Sequence, residues 1–236
     1  MTKAKVLFLD LETYGHDFAA NLGYILCGSY KWLGQKQVIT IQRKKIVPWI
    51  KEAENDKQIC EKLAAVIAEA EIVVTWNGID FDYKFLQARM LRHGLGALKV
   101  DGHEDLLRTA RKRLGMRPRS LEEVGRFLKC SEQKQKVPKE VWLASGRGDP
   151  KAIKTWISRC ESDVRLLEEI YHKLGPLSIT HPKISNIVSA CVFCGEQKLQ
   201  KQGFKRALRH YRQVYQCKNC RKWQTSNPIK YTGDSK

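Results

Sequence analysis

A continuous apolar run near the start of the chain ends in two acids, and this combination most constrains the fold. The segment KVLFLDLET predicts a buried β-strand with Asp10 and Glu12 at its carboxyl end. Residues two apart on a strand face the same side, so these two carboxylates project together. A carboxylate beside an apolar run costs free energy unless it is paired or bound to a metal. The run therefore predicts a strand that presents two acids to a polar site.

The segments that follow predict an α/β layer. YILCGSYKW and QVITIQ predict two more strands, and their short connections favour an antiparallel meander of three. An amphipathic helix that begins at Asn55 or Asp56, the short strand EIVVTW and a helix over 81–94 come next. ALKVDG (97–102) predicts a fifth strand, HEDLLRTARKRLG (103–115) predicts one basic helix, and further helical segments follow.

Two more acids occupy positions typical of site residues. Asp82 follows a strand–loop–helix junction in VVTWNGIDFD, the usual place for a site residue in an open α/β sheet. Asp163 lies on a helix with Leu167 one turn further along the same face, which points it inward or toward the edge of the core. Four clustered carboxylates are hard oxygen ligands suited to Mg²⁺ or Mn²⁺. Two such ions can activate water and stabilise the leaving oxygen in phosphodiester cleavage.

Each acid taken alone has a simpler interpretation. The two strand acids could be solvated, and Asp82 could be a helix N-terminal acid favoured by the macrodipole, with Asp80 as a rival for that position. Asp163 could pair with an arginine of its own helix. All four acids together, in the order of the family motifs given below, favour the metal site.

The charge of the chain favours a polyanionic substrate. The 43 basic and 25 acidic residues give a net charge of +18. Residues 181–236 hold 12 basic against 2 acidic residues, so the excess is concentrated toward the end of the chain. Nucleic-acid phosphate is the obvious substrate, and its binding should weaken with salt. With neither a signal-peptide pattern nor a long apolar run, we expect a cytoplasmic protein, in the host cytoplasm if phage-encoded, without a membrane partner.

Eight cysteines divide into two classes. Four are isolated in apolar stretches and are expected to be small buried side chains: Cys27, Cys60, Cys130 and Cys160. The other four form two C-x2-C pairs separated by 22 residues, the spacing of a closed, structural, tetrahedral zinc site. The predicted zinc ligands are Cys191, Cys194, Cys217 and Cys220.

Two basic segments could contact nucleic acid or could be solvated surfaces. Between the cysteine pairs, Lys and Arg alternate with Phe204, Tyr211 and Tyr215, and Trp223 follows the second pair. We expect the aromatic residues to form the small core of this segment and the charges to contact phosphates. Residues 108–119 carry a second basic cluster, for which nucleic-acid contact is slightly favoured.

The motifs resemble those of a known family. DLET, then NGIDFD, then a late helical Asp are similar to the three motifs of the DEDD 3′–5′ exonucleases, and above all to the exonuclease domains of family B polymerases. Stand-alone relatives of those domains end in a zinc ribbon after a linker similar to THPKISN, and SLEEVGRFLKC and DVRLLEEIY are also similar. The resemblance covers almost the whole chain.

The resemblance implies a fold and an activity. The fold is a ribonuclease H-like mixed sheet, three antiparallel strands followed by parallel ones, with flanking helices over 1–178, a linker over 179–188 and a zinc ribbon over 189–230. The activity is two-metal 3′–5′ exonuclease cleavage of single-stranded DNA or RNA to 5′-mononucleotides, with Thr13 and Asn77 near the substrate. A polymerase or another replication or repair protein is an expected partner. The implied ligands of two Mg²⁺ or Mn²⁺ ions are Asp10, Glu12, Asp82 and Asp163.

One position departs from the family pattern. The family has a Tyr four residues before the last Asp or a His five residues before it, and this chain has Arg159 and Ser158. Arg stays protonated and is a poor general base, but it can bind the scissile phosphate and stabilise the transition state. This departure keeps two alternatives open. One is a structure-specific endonuclease of the same fold, and the other is a catalytically weakened binding or proofreading subunit.

Overall fold

A computed structural model gives the structure of the protein. It describes residues 5–15, 19–42, 55–100, 102–132, 137–178, 191, 194, 196–206, 210–226 and 229–230. The predicted linker lies outside these ranges. Within them, none of the helices combines the length and the apolar character that crossing a membrane requires.

The first part of the chain forms a mixed five-stranded sheet with the order β3-β2-β1-β4-β5. The first three strands are antiparallel, whereas β4 and β5 run parallel to β1. This confirms the predicted fold class. The strands are β1 (Val6–Gly15), β2 (Gly23–Trp32), β3 (Ile39–Gln42), β4 (Ile72–Thr75) and β5 (His103–Asp105).

Within the described ranges, α-helices cover both faces of this sheet. Helices α1 and α2 pack on one face, and α3, α4 and α6 pack on the other. The last stretch is one continuous helix of 25 residues, capped by the Asp149 carboxylate, which accepts from the amide of Ala152 at 2.7 Å. The helices are α1 (Lys57–Ala68), α2 (Asp82–Arg92), α3 (Leu106–Arg113), α4 (Leu121–Phe127), α5 (Lys139–Gly146) and α6 (Pro150–Leu174).

The central strand β1 has side chains in both cores, because residues alternate between the two faces of a strand. Leu9 and Leu11 belong to the core beneath α1 and α2, whereas Phe8 belongs to the core beneath α6. Phe8 makes an edge-on contact with Tyr171 of α6, with ring centroids 5.3 Å apart. Helix α6 therefore crosses the face of β1 that also carries Asp10 and Glu12.

The fifth strand lies later in the chain than ALKVDG, so that prediction is wrong, and the basic helix is shorter than predicted. Strand β5 is the polar tripeptide His103–Asp105, and α3 begins at Leu106. The polar side chains of β5 find partners inside the fold. Glu104 is fully buried and accepts from the hydroxyl of Thr109 at 3.0 Å, and Asp105 caps α3 by accepting from the amide of Leu107 at 3.1 Å. Apolar periodicity misses such a strand because its burial depends on hydrogen bonds.

The C-terminal part forms a second, four-stranded antiparallel sheet. Its order is β6-β7-β8, and β9 pairs with β7. The register between β6 and β7 shifts between Lys201 and Phe204, where Gly203 adopts a φ of +99° that favours glycine. The strands are β6 (Leu199–Arg206), β7 (His210–Cys217), β8 (Trp223–Thr225) and β9 (Ile229–Lys230).

Candidate functional site

Three of the four predicted acids lie together where α6 crosses β1. Asp10 and Glu12 come from β1 and Asp163 comes from α6, and one carboxylate oxygen from each lies within 4.8 Å of the others. Asp163 is 2% exposed, whereas the two strand acids are partly exposed. Carboxylates this close repel one another unless a cation lies among them. The arrangement fits a divalent cation, since it offers several hard oxygen ligands on one side of the sheet.

Arg159 supplies a positive charge to this cluster. Its Nε lies 3.1 Å from Oε1 of Glu12 and 4.0 Å from Oδ2 of Asp163, which is one helical turn further along α6. The guanidinium also lies over the ring of Trp156, 4.8 Å from the ring centroid. Stacking on the ring and pairing with Glu12 hold the guanidinium beside the carboxylates.

Asp82 is not one of the three acids that converge within 4.8 Å, but it contacts the backbone between two of them. It is 5% exposed, and its Oδ1 accepts from the amide of Leu11 at 3.0 Å. Strand β4 pairs with β1 only as far as Phe8, so Asp82 reaches a backbone amide beyond the end of that ladder. Its rival Asp80 lies on the surface, where the hydrogen bond from Lys84, followed by one from Arg108, lowers the pKa of its carboxyl group.

The two predicted substrate-binding residues lie near the ends of β1 and β4. Thr13 follows Glu12 directly and is 8% exposed, at the point where the register between β1 and β2 shifts. Asn77 is half-buried and has a φ of +67°, a left-handed conformation that Asn tolerates better than most residues.

Asp105 organises the loop of Asn77, and sequence reasoning missed it. Its carboxylate accepts from the amides of Asn77 at 2.9 Å and Ile79 at 3.2 Å, besides capping α3. An acid directly before an apolar-periodic helix is an N-cap signal, and that signal in HEDLL could have identified it. Asp105 therefore positions the loop between β4 and Asp82.

The four isolated cysteines are all buried, as predicted. The thiol of Cys160 donates to the backbone carbonyl of Asp10 at 3.4 Å. Burial, followed by the neighbouring Cys27, raises the pKa of the Cys160 thiol well above its usual range. Cys160 is thus a neutral thiol that braces α6 against β1 directly behind the acids.

The two C-x2-C pairs converge on one site. Sulfur atoms lie 3.5 Å apart between Cys191 and Cys220, and 3.6 Å apart between Cys194 and Cys217. A tetrahedral ion with metal–sulfur bonds of about 2.3 Å separates its ligands by about 3.8 Å, so the four thiols fit such an ion. Each pair is closed by the same backbone bond, from the first cysteine to the carbonyl five residues later: Cys191 to Glu196 at 2.7 Å, and Cys217 to Lys222 at 2.9 Å.

The prediction that aromatic residues form the core of this segment is correct for Tyr215 and wrong for two others. Tyr215 is 5% exposed, whereas Phe204 is 56% and Trp223 is 49% exposed. Among the residues described for this segment, the buried apolar cluster consists of Cys191 and Cys217, with Leu199 and Cys220 packed against it. The cysteines form the apolar cluster described for this segment, Tyr215 is buried, and Phe204 and Trp223 lie on the surface.

Comparison with known proteins supports the fold assignment. A family model described as the RNase_H superfamily matches residues 7–175. The chain belongs to the RNase_H superfamily.

The chain is also similar to archaeal DNA polymerases. It is 30% identical over 104 residues to the DNA polymerase of Thermococcus hydrothermalis, and the aligned region covers 42% of this chain and 6% of that protein. It is 31% identical over 121 residues to the DNA polymerase of Methanocaldococcus jannaschii, and the aligned region covers 50% of this chain and 7% of that protein. The family B DNA polymerase from Pyrobaculum calidifontis shares the fold, with a TM-score of 0.56 at 14% identity over 88% of this chain and 32% of that one. The chain therefore corresponds to a small part of each polymerase, and the expected similarity to family B polymerases is confirmed.

Proposed function

We propose that the protein is a two-metal 3′–5′ exonuclease that shortens single-stranded DNA or RNA and releases 5′-mononucleotides. The observation that carries this proposal is the convergence of Asp10, Glu12 and Asp163 where α6 crosses β1. Membership of the RNase_H superfamily and similarity to DNA polymerases support a nuclease acting on nucleic acid.

The three clustered acids, together with Asp82, would hold two Mg²⁺ or Mn²⁺ ions. When bound, such ions lower the pKa of an attacking water and stabilise charge on the departing 3′ oxygen. Asp10, Glu12 and Asp163 provide the cluster, and Asp82 orients the strand between the two strand acids through the amide of Leu11. Burial of Asp163 excludes bulk water from one side of the site.

Arg159 would bind the scissile phosphate. Its guanidinium stays protonated, so it serves as an electrostatic group and cannot act as a general base. In the described structure it lies against Glu12 and over Trp156. A phosphate oxygen offers it an alternative partner with the planar geometry that a guanidinium favours. Thr13 and Asn77 would contact the terminal nucleotide on either side.

The remaining positive charge would hold the substrate strand. Helix α3 exposes Arg111, Lys112 and Arg113, and the four-cysteine segment would form a zinc ribbon that adds further cations. Phosphate contacts of this kind are independent of sequence and weaken with salt. A polymerase or another replication or repair protein is the proposed macromolecular partner besides nucleic acid.

The test is cleavage of 5′-labelled single-stranded DNA and RNA with Mg²⁺ or Mn²⁺. We expect a ladder that shortens from the 3′ end, abolished by Asp10→Asn or Asp163→Asn and unchanged by Asp80→Asn, a surface acid outside the cluster. Equal ladders from the wild type and Asp10→Asn would refute the proposal. Cleavage of a circular single strand would instead identify an endonuclease.

The contact between Arg159 and Glu12 favours a second candidate. A cation already paired with a carboxylate of the cluster competes with a metal ion, so the chain could be a weakened nuclease that binds 3′ ends as a proofreading subunit. Tight binding of a labelled strand with no product under any metal would support this alternative.

A further inference from the structure

One face of the C-terminal sheet combines positive charge with an exposed tryptophan. Residues paired across antiparallel strands share a face, so Lys205 lies beside Arg212, and Trp223 lies beside Gln216. These four residues and Gln200, which pairs with Gln216 from the other side, define what we call the outer face. The opposite face carries the buried side chains of β7.

We propose that the outer face binds single-stranded nucleic acid upstream of the 3′ end, with a base stacked on Trp223 and phosphate on Lys205 and Arg212. The inference deepens the proposed function and rests on it for the identity of the substrate. It assigns strand binding to one face of the sheet and to named residues.

The first argument is the placement of like charges. Lys205 and Arg212 lie directly opposite each other on neighbouring strands, an arrangement that destabilises a sheet through repulsion. An NH1 donor of Arg212 reaches the carbonyl of Ser226 at 3.5 Å, which holds the guanidinium along the sheet. A phosphate between the two cations would remove the repulsion.

The second argument is the exposure of Trp223. Its side chain is 49% exposed, although the same short sheet buries Tyr215. Stacking of a base on an exposed aromatic ring contributes to single-strand binding regardless of sequence. Residues 212 and 216 lie about 13 Å apart along β7 at the usual rise of a strand, so the cations and the ring match different nucleotides of one strand.

The third argument is overall charge, which identifies the occupant as a polyanion. The described residues of this segment include one acid, Glu196, and nine basic residues: Lys198, Lys201, Lys205, Arg206, Arg212, Lys218, Arg221, Lys222 and Lys230. A protein partner would need an acidic surface of matching size, whereas the phosphates of any nucleic-acid strand supply the negative charge.

Lys222, the neighbour of Trp223 in the chain, ties this segment to the end of α6, the helix that carries Asp163. Its Nζ donates to the carbonyls of Gly175 at 2.8 Å and Ser178 at 2.7 Å, just beyond the end of α6. Asp163 lies on the same helix, about 18 Å before Gly175 at the rise of an α-helix. A stacked strand advances about 3.4 Å per nucleotide, so roughly five nucleotides already span the distance from Asp163 to the residue that Lys222 contacts. Shorter substrates would not reach the outer face.

The test measures binding in the Asp10→Asn background without Mg²⁺ or Mn²⁺, which separates it from the test of catalysis. Fluorescence anisotropy of 5′-labelled 20-mers and 4-mers of thymidine and uridine is recorded with the zinc-loaded full chain. We expect Trp223→Ala to weaken binding of the 20-mer about tenfold and to leave the 4-mer unchanged. The variant Lys205→Gln/Arg212→Gln should reduce the slope of log affinity against log salt concentration for the 20-mer by about 1.4, since each phosphate contact on a single strand contributes about 0.7.

The matched control is Phe204→Ala, an exposed aromatic on the opposite face of the same sheet. It should bind the 20-mer as the parent does. Trp223→Phe keeps a ring for stacking, so it should retain most of the affinity. Unchanged 20-mer binding in zinc-loaded Trp223→Ala, or an equal loss in Phe204→Ala, would overturn the proposal.

Discussion

Nε of Arg159 lies 3.1 Å from Oε1 of Glu12, so a permanent cation is paired with a carboxylate of the proposed metal site. The two side chains come from different elements, α6 and β1, and meet because α6 crosses the end of the strand. The ion pair partly neutralises the negative charge of the acids. A divalent cation that binds Glu12 must compete with Arg159 for its carboxylate.

Arg159→Gln should bind Mn²⁺ more tightly and cleave more slowly. Removing the guanidinium frees Glu12 from its ion pair, and it also removes a charge that would stabilise the transition state, a loss of about 100-fold in kcat. Calorimetry measures the metal affinity, and single-turnover cleavage measures the rate. Arg165→Gln is the control, because Arg165 lies on the same helix and pairs with Glu132 at 3.0 Å. Faster cleavage by Arg159→Gln would contradict this role.

Asp82→Asn and Asp82→Ala should separate charge from structure. Asn keeps an oxygen that can accept from the amide of Leu11, so we expect a folded protein with reduced cleavage. Ala leaves that buried amide without this acceptor, at a cost of about 1–3 kcal/mol in the free energy of unfolding. Chemical denaturation and the cleavage assay measure the two effects. Full activity of Asp82→Asn would remove the carboxylate from the site.

Arg89→Met should be strongly destabilising. The carboxylate of Asp56 is fully buried, accepts from the amide of Ile25 at 2.8 Å, and is bound by Arg89 through Nε at 2.9 Å. His93 also contacts it, with 2.6 Å between Nε2 and Oδ1. Removing Arg89 takes away the main positive charge that pairs with the buried Asp56 carboxylate. Such a loss typically costs about 3–5 kcal/mol in the free energy of unfolding. Urea denaturation measures the loss, and the exposed Arg92→Met should change stability by less than about 0.5 kcal/mol.

The stability of the protein should fall as the pH falls below about 6.5, in part through His103. Burial lowers the pKa of His103 below its usual value, although Asp105 opposes the shift. The unfolded chain therefore binds a proton at a higher pH than the folded chain, so the contribution of neutral His103 is present above pH 6.5 and is lost on acidification. Melting temperatures of the wild type and His103→Gln between pH 5 and 8 test this. Parallel pH profiles would exclude His103 as a source.

Removal of zinc should unfold the four-cysteine segment and leave the five-stranded sheet intact. The buried apolar cluster described for that segment consists mainly of its cysteines, so little else holds it together. A chelator should abolish hydrogen-exchange protection in β6 and β7 while β1 and β4 stay protected. Cys217→Ser should behave like the chelated protein and show no further change with chelator. Retained protection in β7 without metal would show that the ribbon has another source of stability.

Sequence patterns predicted the parts of the molecule that periodicity and spacing encode. The acids after the apolar run of β1, the three-stranded meander and the cysteine pairs all follow from local order along the chain. The strand His103–Asp105 did not, since its burial depends on hydrogen bonds formed after folding. Likewise, the register shift at Gly203 decides which aromatic residues share a face, and no spacing rule gives its position.

The contact between Arg159 and Glu12 also lay beyond sequence reasoning. The position of Arg159 one turn before Asp163 was visible, but its choice of partner depends on how α6 crosses β1. Asp82 was predicted as a ligand equivalent to the other acids. Its hydrogen bond with the amide of Leu11 could not be predicted, because the sequence does not show that the pairing of β4 with β1 ends at Phe8.

The alternation of β1 ties the integrity of the site to the act of folding. Leu9 and Leu11 fill one core while Asp10 and Glu12 face α6, and a slip of one residue would exchange the two sets. Such a slip would bury two carboxylates among aliphatic side chains. The free-energy cost of burying unpaired charges excludes this misregistered state. A molecule that has folded has thereby aligned its acids, and a single-residue deletion in this strand would abolish architecture and chemistry together.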